Sequence, residues 1–159
     1  MPSRAIEESI ITISSIIAIT VLAAAIFSGL SKMKSSYIAA VTVNSELIKT
    51  DITVIFATNS SSTVVKVWVK NTGSSRIPLD AVKLSDLFFG SAGNISRIEY
   101  GTTPPCWSYE ILNGNSNNYW ENGETLEITI RLTEVLTEGD YQVIFVLYNG
   151  AKSEYWFSI

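Results

Sequence analysis

The sequence predicts an all-β immunoglobulin-like β-sandwich preceded by one N-terminal transmembrane α-helix. Three observations lead to this fold class. An uncharged, proline-free run lies near the N-terminus, from Ile10 to Leu30. About seven later runs alternate apolar and polar side chains, as half-buried strands do. Clusters of Gly, Asn, Ser and Pro separate those runs at short intervals, as turns between antiparallel strands do.

The apolar run is the right length for a membrane-spanning helix. At ~1.5 Å rise per residue, residues 10–30 extend ~31 Å, which matches a hydrocarbon core of ~30 Å. Its Ser and Thr hydroxyls can bond to carbonyls of the same helix. Three alternatives are a cleaved signal peptide ending near Ala23-Ala24-Ala25, a buried core helix, and a pilin-like helix that first spans the membrane and then packs into a filament.

Charge divides the chain into residues 1–40, the N-terminal segment with the helix, and residues 41–159, the predicted extracytoplasmic β-sandwich domain. The first part carries three Lys/Arg and two Asp/Glu, and the second carries eight and thirteen, so the net charges are +1 and −5. An acidic domain argues against nucleic acid or an anionic membrane surface as partner. One basic residue precedes the apolar run and two follow it closely, so the positive-inside rule leaves the topology undecided.

Alternation identifies the strands in order along the domain. Residues 47–58 place Ile52, Val54 and Phe56 at period two, and residues 125–132 give the cleanest case. Residues 141–149 are apolar on both faces, which predicts a central strand or one that a partner covers. Asn149-Gly150 then predicts a hairpin to the last strand. The remaining predicted strands are 63–71, 95–101, 106–112 and 152–159.

Residues typical of catalysis or metal binding are scarce. The chain has no histidine and one cysteine, Cys106, so zinc sites, Ser-His-Asp and Cys-His catalysis and an intrachain disulfide are excluded. We interpret Glu121 and Glu124 as solvated turn carboxylates, and the acidic residues at 134, 138 and 140 in the same way. No EF-hand spacing or phosphate-binding glycine loop is present. We therefore expect no catalytic residue, no metal, no cofactor and no small-molecule substrate.

Aromatic residues instead suggest a protein-binding face. Trp68 alternates with lysines on the polar side of its strand, where a core residue is not expected. We predict the main partner contact on the C-terminal hairpin, Tyr141 to Ile159, with Trp156 or Tyr155 as anchor. Val146 and Tyr148 join that face if the Tyr141 side is the core side. Asn59 and Asn94 head Asn-x-Ser sequons and are candidate glycosylation sites.

Several segments together resemble a family. A Glu-Glu-Ser stretch before the apolar helix (7–9), Val-Trp-Val-Lys-Asn-Thr-Gly (67–73), Glu-Asn-Gly-Glu-Thr-Leu-Glu-Ile-Thr-Ile (121–130) and Gly-Asp-Tyr-Gln-Val-Ile-Phe-Val (139–146) resemble archaeal type IV pilin-like proteins. Within that group the chain is most similar to the archaellum stator proteins of the FlaG/FlaF type, and more to FlaG. The resemblance covers most of the chain.

The resemblance implies a function that composition alone does not. It implies a non-enzymatic stator of the archaellum motor, single-pass in the cell membrane through residues 10–30, with its C-terminal domain in the pseudoperiplasm. The partners implied are a companion stator protein and the S-layer protein, and self-association is left open. The alternatives are a type IV pilin-like filament subunit or another cell-envelope binding module. Pilins carry a Lys/Arg-Gly-type cleavage site before the helix, whereas this chain has no glycine before Gly29, so we expect the helix to be retained.

Overall fold

A single helix of 48 residues, α1 (Pro2–Lys49), opens the chain. It contains the whole predicted span and is longer than that span at both ends. Several of its Ser and Thr hydroxyls donate a hydrogen bond to the backbone carbonyl four residues earlier, as Ser15 does to Ile11 at 2.8 Å. By length and composition this is a helix that could cross a membrane. Apolar side chains lie all around it and are exposed, among them Ile10, Ile17 and Phe27.

The computed structural model describes residues 2–159, without the side chains of Pro2, Val43, Asn44 and Glu46. The chain divides into two compact units, one ending at Asn44 and the other comprising Ser45–Ile159. The second unit holds ten strands and one short helix. These are β1 (Ile52–Ser61), β2 (Val64–Asn71), β3 (Ile77–Pro78), α2 (Leu79–Val82), β4 (Asp86–Ser91), β5 (Asn94–Tyr100), β6 (Cys106–Ile111), β7 (Tyr119–Trp120), β8 (Thr125–Arg131), β9 (Asp140–Val146) and β10 (Lys152–Ser158).

Eight of these strands follow the order β1-β2-β8-β6-β5-β4-β9-β10. All neighbours are antiparallel except β5 and β6, which are parallel and pair only at Glu99 with Cys106 and Tyr100 with Trp107. That short link joins two four-stranded halves, β1-β2-β8-β6 and β5-β4-β9-β10. β3 and β7 form a separate two-stranded ladder. The predicted sandwich is confirmed, and the sequence patterns missed β3, β4, β7 and α2.

The two halves bury one apolar core between them. From the first half it receives the valines of β2 (65, 67 and 69) and Leu126, Ile128 and Ile130 of β8. From the second it receives Leu87 and Phe89 of β4 and Val143 and Phe145 of β9. The Trp107 and Phe145 rings meet edge to face, with centroids 5.6 Å apart. This core shows why strict alternation in β2 and β8 was a good guide.

Phe56 is a correction to the alternation assigned to β1. Ile52 and Val54 are buried as expected, but Phe56 is 51% exposed and Ala57 is buried in its place. The register between β1 and β2 shifts between Val54 and Phe56, because Ile55 is an extra residue without a partner on β2. A bulge of this kind moves every later side chain to the opposite face.

The hairpin predicted at Asn149-Gly150 joins β9 to β10. Leu147 N–H donates to the Ala151 carbonyl, and Gly150 N–H donates to the Leu147 carbonyl, both at 2.8 Å. Gly150 has φ +88°, so a three-residue loop ends in the left-handed conformation that glycine adopts at low cost. The hairpin places Tyr141, Val143 and Phe145 on the core side.

A second turn, residues 71–75, folds over the backbone at the start of the domain. The N–H groups of Thr72 and Gly73 donate to the Asp51 carbonyl at 3.0 and 2.8 Å. Those of Ser74 and Ser75 donate to the Lys49 carbonyl at 2.8 and 3.1 Å. Four orphan donors of the turn are thereby satisfied by two carbonyls, and the start of the domain is held against β2.

Candidate partner-binding surface

The outer side of the β10-β9-β4 sheet carries an apolar patch. Cross-strand pairing fixes three rows that face away from the core: Trp156 beside Gln142, Glu154 beside Ile144 and Phe88, and Lys152 beside Val146 and Asp86. We call Phe88, Ile144, Val146 and Trp156 the outer patch. Trp156 is 53% exposed, and the other three are half-buried.

Charges border the outer patch on several sides. Arg97 on β5 donates to Asp86 on β4 at 2.7 Å and lies 3.6 Å from Glu99. Lys152 and Glu154 alternate with Trp156 along β10 and are exposed. An apolar centre with a mixed charged rim is the usual composition of a protein interface. Because both signs are present, we expect the rim to set orientation more than affinity.

The predicted anchor residues are separated by the structure. Val146 and Trp156 lie on the outer patch, and Tyr148 stands next to it in the β9–β10 turn, 47% exposed. Tyr155 lies on the opposite face of β10, pairs with Val143 and packs half-buried against the core. Trp156, not Tyr155, is therefore the residue of that pair that faces outward. Phe88 was missed because β4 was not recognised as a strand. Ile144 was missed because β9 is apolar on both faces, so its sequence did not show which of its residues face outward.

Trp68 lies on the outer face of the other half of the sandwich. Its ring stacks on Phe56 with centroids 5.5 Å apart. Lys66 on the same strand forms an ion pair with Glu127 of β8, which is buried. Trp68 therefore belongs to a different face from Trp156, and the bulge at Ile55 is what places Phe56 beside it.

The acidic clusters are parts of turns, but Glu124 is not solvated. It is 7% exposed, and its two carboxylate oxygens accept from Asn115 N–H at 3.2 Å and Glu121 N–H at 2.8 Å. Glu121 pairs with Arg76 at 2.7 Å. These contacts organise the polar loop after β6, which the sequence could not show since it depends on two turns meeting in space. Within residues 2–159, less the four undescribed side chains, no three His, Cys, Asp or Glu residues group as a metal site would require.

Titratable groups with altered pKa values lie away from the outer patch. Burial raises the pKa of the Tyr109 phenol, whose Oη donates to the Leu79 carbonyl at 2.7 Å. A hydrogen bond from Lys83 lowers the pKa of Asp80, and the same bond raises the pKa of Lys83. Asp80 and Lys83 are an exposed pair three residues apart, so their contribution to stability is small. Tyr109 lines a cleft of about 330 Å³ beside the polar loop after β6, and Asp80 and Lys83 lie on the surface.

Both sequon asparagines are exposed. Asn59 lies near the end of β1. Asn94 begins β5 directly after a two-residue turn, and it also lines the rim of a cleft beside that strand. Each side chain is accessible for modification, and a glycan on Asn94 would stand at the mouth of the cleft.

Comparison with known proteins gives consistent results. Residues 3–157 match the family model described as archaeal-type flagellin. A protein of Archaeoglobus fulgidus named only as uncharacterized is 33% identical over 163 residues, covering 99% of both chains. The structure is similar to that of the archaellum periplasmic stator protein FlaG from Sulfolobus acidocaldarius, with TM-score 0.60 and 26% identity over 68% of this chain and 99% of that one. The complex of FlaF and FlaG from the same organism matches with TM-score 0.59 and 26% identity, over 67% of this chain and 88% of that one.

Proposed function

The chain belongs to the archaeal-type flagellin family and is FlaG-like, and from this we propose that it is a non-enzymatic, membrane-anchored stator subunit of the archaellum motor. One observation carries the proposal: its domain matches nearly the whole solved chain of a stator protein, at 26% identity. A stator holds a rotary machine still, so it needs an anchor in the membrane and a specific contact outside it.

Helix α1 supplies the anchor in this proposal. Residues 10–30 contact lipid, and exposed Lys32 and Lys34 snorkel at the membrane face that follows. The domain then lies outside the membrane, in the pseudoperiplasm. This orientation is supported by the similarity to a protein whose name places it in the periplasm, since charge counting around the span decides nothing.

The outer patch supplies the contact. FlaG and FlaF of Sulfolobus acidocaldarius are named as a complex, which supports a companion stator protein as the partner of this chain. We place that contact at Trp156, with Val146 and Tyr148 beside it, and propose the S-layer protein as the second partner. A half-exposed tryptophan over apolar strands offers the buried area that interface hot spots require.

The second candidate function is a filament subunit. The family model covers the helix and the domain together, from residue 3 to residue 157, and its description is flagellin. In that function the apolar helix would pack against other helices after leaving the membrane. The two functions differ in where the chain is found once filaments are removed from the cell.

The proposed contact is tested by measuring binding between this chain and its companion stator protein, both full length in detergent. We expect Trp156→Glu to weaken binding by at least about 30-fold, equal to ~2 kcal/mol. Leu112→Glu is the matched control, because Leu112 is 51% exposed and directly follows β6 in the other half of the sandwich, and it should bind normally. Trp68→Glu tests the opposite face.

Two results would reject the site. One is unchanged binding by a folded Trp156→Glu protein, and the other is loss of binding only in Trp68→Glu. If the unsubstituted chain binds neither the companion nor S-layer protein across a salt series, the stator assignment itself fails. A mainly apolar contact should vary little with salt.

A further inference from the structure

Strand β5 has a free backbone edge over most of its length. On one side it pairs with β4 from Asn94 to Ile98. On the other side its ladder with β6 is limited to Glu99 and Tyr100. Residues 94–98 therefore have no strand neighbour on that side within the described part of the chain. Such an edge exposes N–H and C=O groups in the spacing that another strand would satisfy.

The opposite seam of the sandwich is closed differently. There β1 and β10 face each other, and the Ser153 hydroxyl of β10 accepts from the Val54 N–H of β1 at 2.9 Å. Lys152 and Glu154 flank that serine, and charged edge residues discourage pairing with other strands. No comparable side chain is bonded across the β5 seam between residues 94 and 98, among the residues described.

A cleft of about 610 Å³ lies beside the free edge. One wall is β5 itself, with Ser96 and Ile98. The facing wall is the loop of residues 132–137. Two hydrogen bonds hold this loop: Leu132 N–H donates to the Thr63 carbonyl at 2.9 Å, and Leu136 N–H donates to the Ser62 carbonyl at 2.7 Å. Buried Phe89 and Tyr141, stacked 5.5 Å apart, line the interior. The cleft lies where the two four-stranded halves of the sandwich separate, beyond the short parallel pairing of β5 with β6.

We propose that this edge is a strand-acceptor site, which binds an extended segment of another protein by adding it to β5. An extended segment is the occupant that matches an unpaired ladder, because its own backbone groups satisfy those of the edge. Within residues 45–159, each strand of five or more residues already has at least one partner in the sheet, so these residues offer no unpaired strand as donor. The donor is therefore a different polypeptide.

The cleft also defines the chemistry of the donor. Every second donor side chain points inward toward Phe89, Ile98 and Tyr141 and should be apolar. The alternate side chains lie on the other face of β5, which carries Ile95 and the exposed Arg97, and should be polar. Arg97 is already paired with Asp86, so affinity should depend little on salt. This site differs from the outer patch, whose anchor Trp156 is on β10 at the other edge of that half.

The probe is a synthetic peptide with the alternating pattern, Thr-Leu-Glu-Ile-Thr-Ile-Arg-Leu, copied from residues 125–132. The control peptide has proline at the two isoleucine positions, which removes ladder donors. Hydrogen exchange is followed by mass spectrometry on the full chain, unglycosylated and in detergent. At millimolar concentration the probe should slow exchange of residues 94–98 about tenfold, as expected when ligand exceeds Kd by that factor, while the control peptide should not.

Two variants locate the bound strand. Val135→Lys should abolish the slowing, because Val135 is 66% exposed on the facing wall and its replacement leaves the core intact. Ser96→Lys should do the same from the β5 wall. The proposal is overturned if the probe leaves residues 94–98 unchanged, if the proline peptide protects them equally, or if protection survives in folded Val135→Lys protein.

Discussion

Trp107 and Trp120 are both fully buried and differ in one hydrogen bond. Trp120 Nε1 donates to the Glu124 carbonyl at 2.9 Å, whereas Trp107 Nε1 has no hydrogen-bond partner among the described residues. Replacing either by phenylalanine removes similar volume. Only Trp120→Phe also removes a hydrogen bond to the Glu124 carbonyl, which then keeps only the Asn71 N–H as donor at 3.0 Å, and only Trp107→Phe removes an unpaired N–H.

We therefore expect Trp120→Phe to lower the free energy of unfolding by about 1–2 kcal/mol more than Trp107→Phe. Denaturant unfolding of the two variants beside the unsubstituted protein measures the difference. Equal losses, or a larger loss in Trp107→Phe, would show that ring packing against Tyr100 and Phe145 outweighs the hydrogen bond.

At the scale of single elements, the turn of residues 71–75 depends on Gly73 for space. A Cβ at that position would lie 2.3 Å from Asp51 N and 2.4 Å from the Lys49 carbonyl oxygen. Both atoms are backbone, so neither can move aside easily. The buried Asn71 side chain reinforces the turn by donating to the Ser75 and Trp120 carbonyls, both at 3.0 Å.

Gly73→Ala should cost about 3 kcal/mol, since overpacking here must displace backbone. Gly123→Ala is the matched control: Gly123 has φ +84° but nothing within 4 Å of its Cβ position, so only the conformational cost of about 1 kcal/mol remains. Thermal unfolding of both variants tests this order. A Gly73→Ala protein as stable as Gly123→Ala would mean that the turn is not tightly held.

The sequence could predict the strands whose side chains alternate strictly between apolar and polar. β2 and β8 alternate strictly and face the core on one side, so their register followed from the period alone. The end of α1 did not: the first strand was predicted to begin at residue 47, but residues 47–49 are the end of the helix and β1 begins at Ile52, because hydropathy marks the membrane span and not the helix end. β4 was missed since Asp86–Ser91 is short and apolar on both faces, and Phe56 was misplaced because a bulge has no signature in alternation.

The candidate surface followed the same limits. Trp156 could be predicted as a candidate outward aromatic. The choice between Trp156 and Tyr155 as anchor could be made only when the core side of β10 was known. Phe88 joins Ile144 through cross-strand pairing, which links residues 56 positions apart. The free edge of β5 depends on where β6 separates from it, and no local pattern carries that information.

At the scale of the whole molecule, the domain has its own core. Its buried apolar cluster runs from Ile52 to Ala151 and, among the side chains that the structure describes, includes none from α1. A fragment beginning near Ser45 should therefore be soluble, rich in β-structure and cooperative in unfolding. Circular dichroism and denaturant unfolding check this. A mainly helical or unfolded fragment would show that the sandwich requires the helix.

The central claim, that this FlaG-like chain is a stator and not a filament subunit, is tested most directly by locating it after filaments are sheared from cells. Mass spectrometry of both fractions should find the chain in the cell envelope, absent from filaments, with α1 retained and its N-terminus intact apart from loss of Met1. A chain abundant in sheared filaments, with a mature N-terminus within a few residues of Ile6, would contradict the claim and establish the filament function instead.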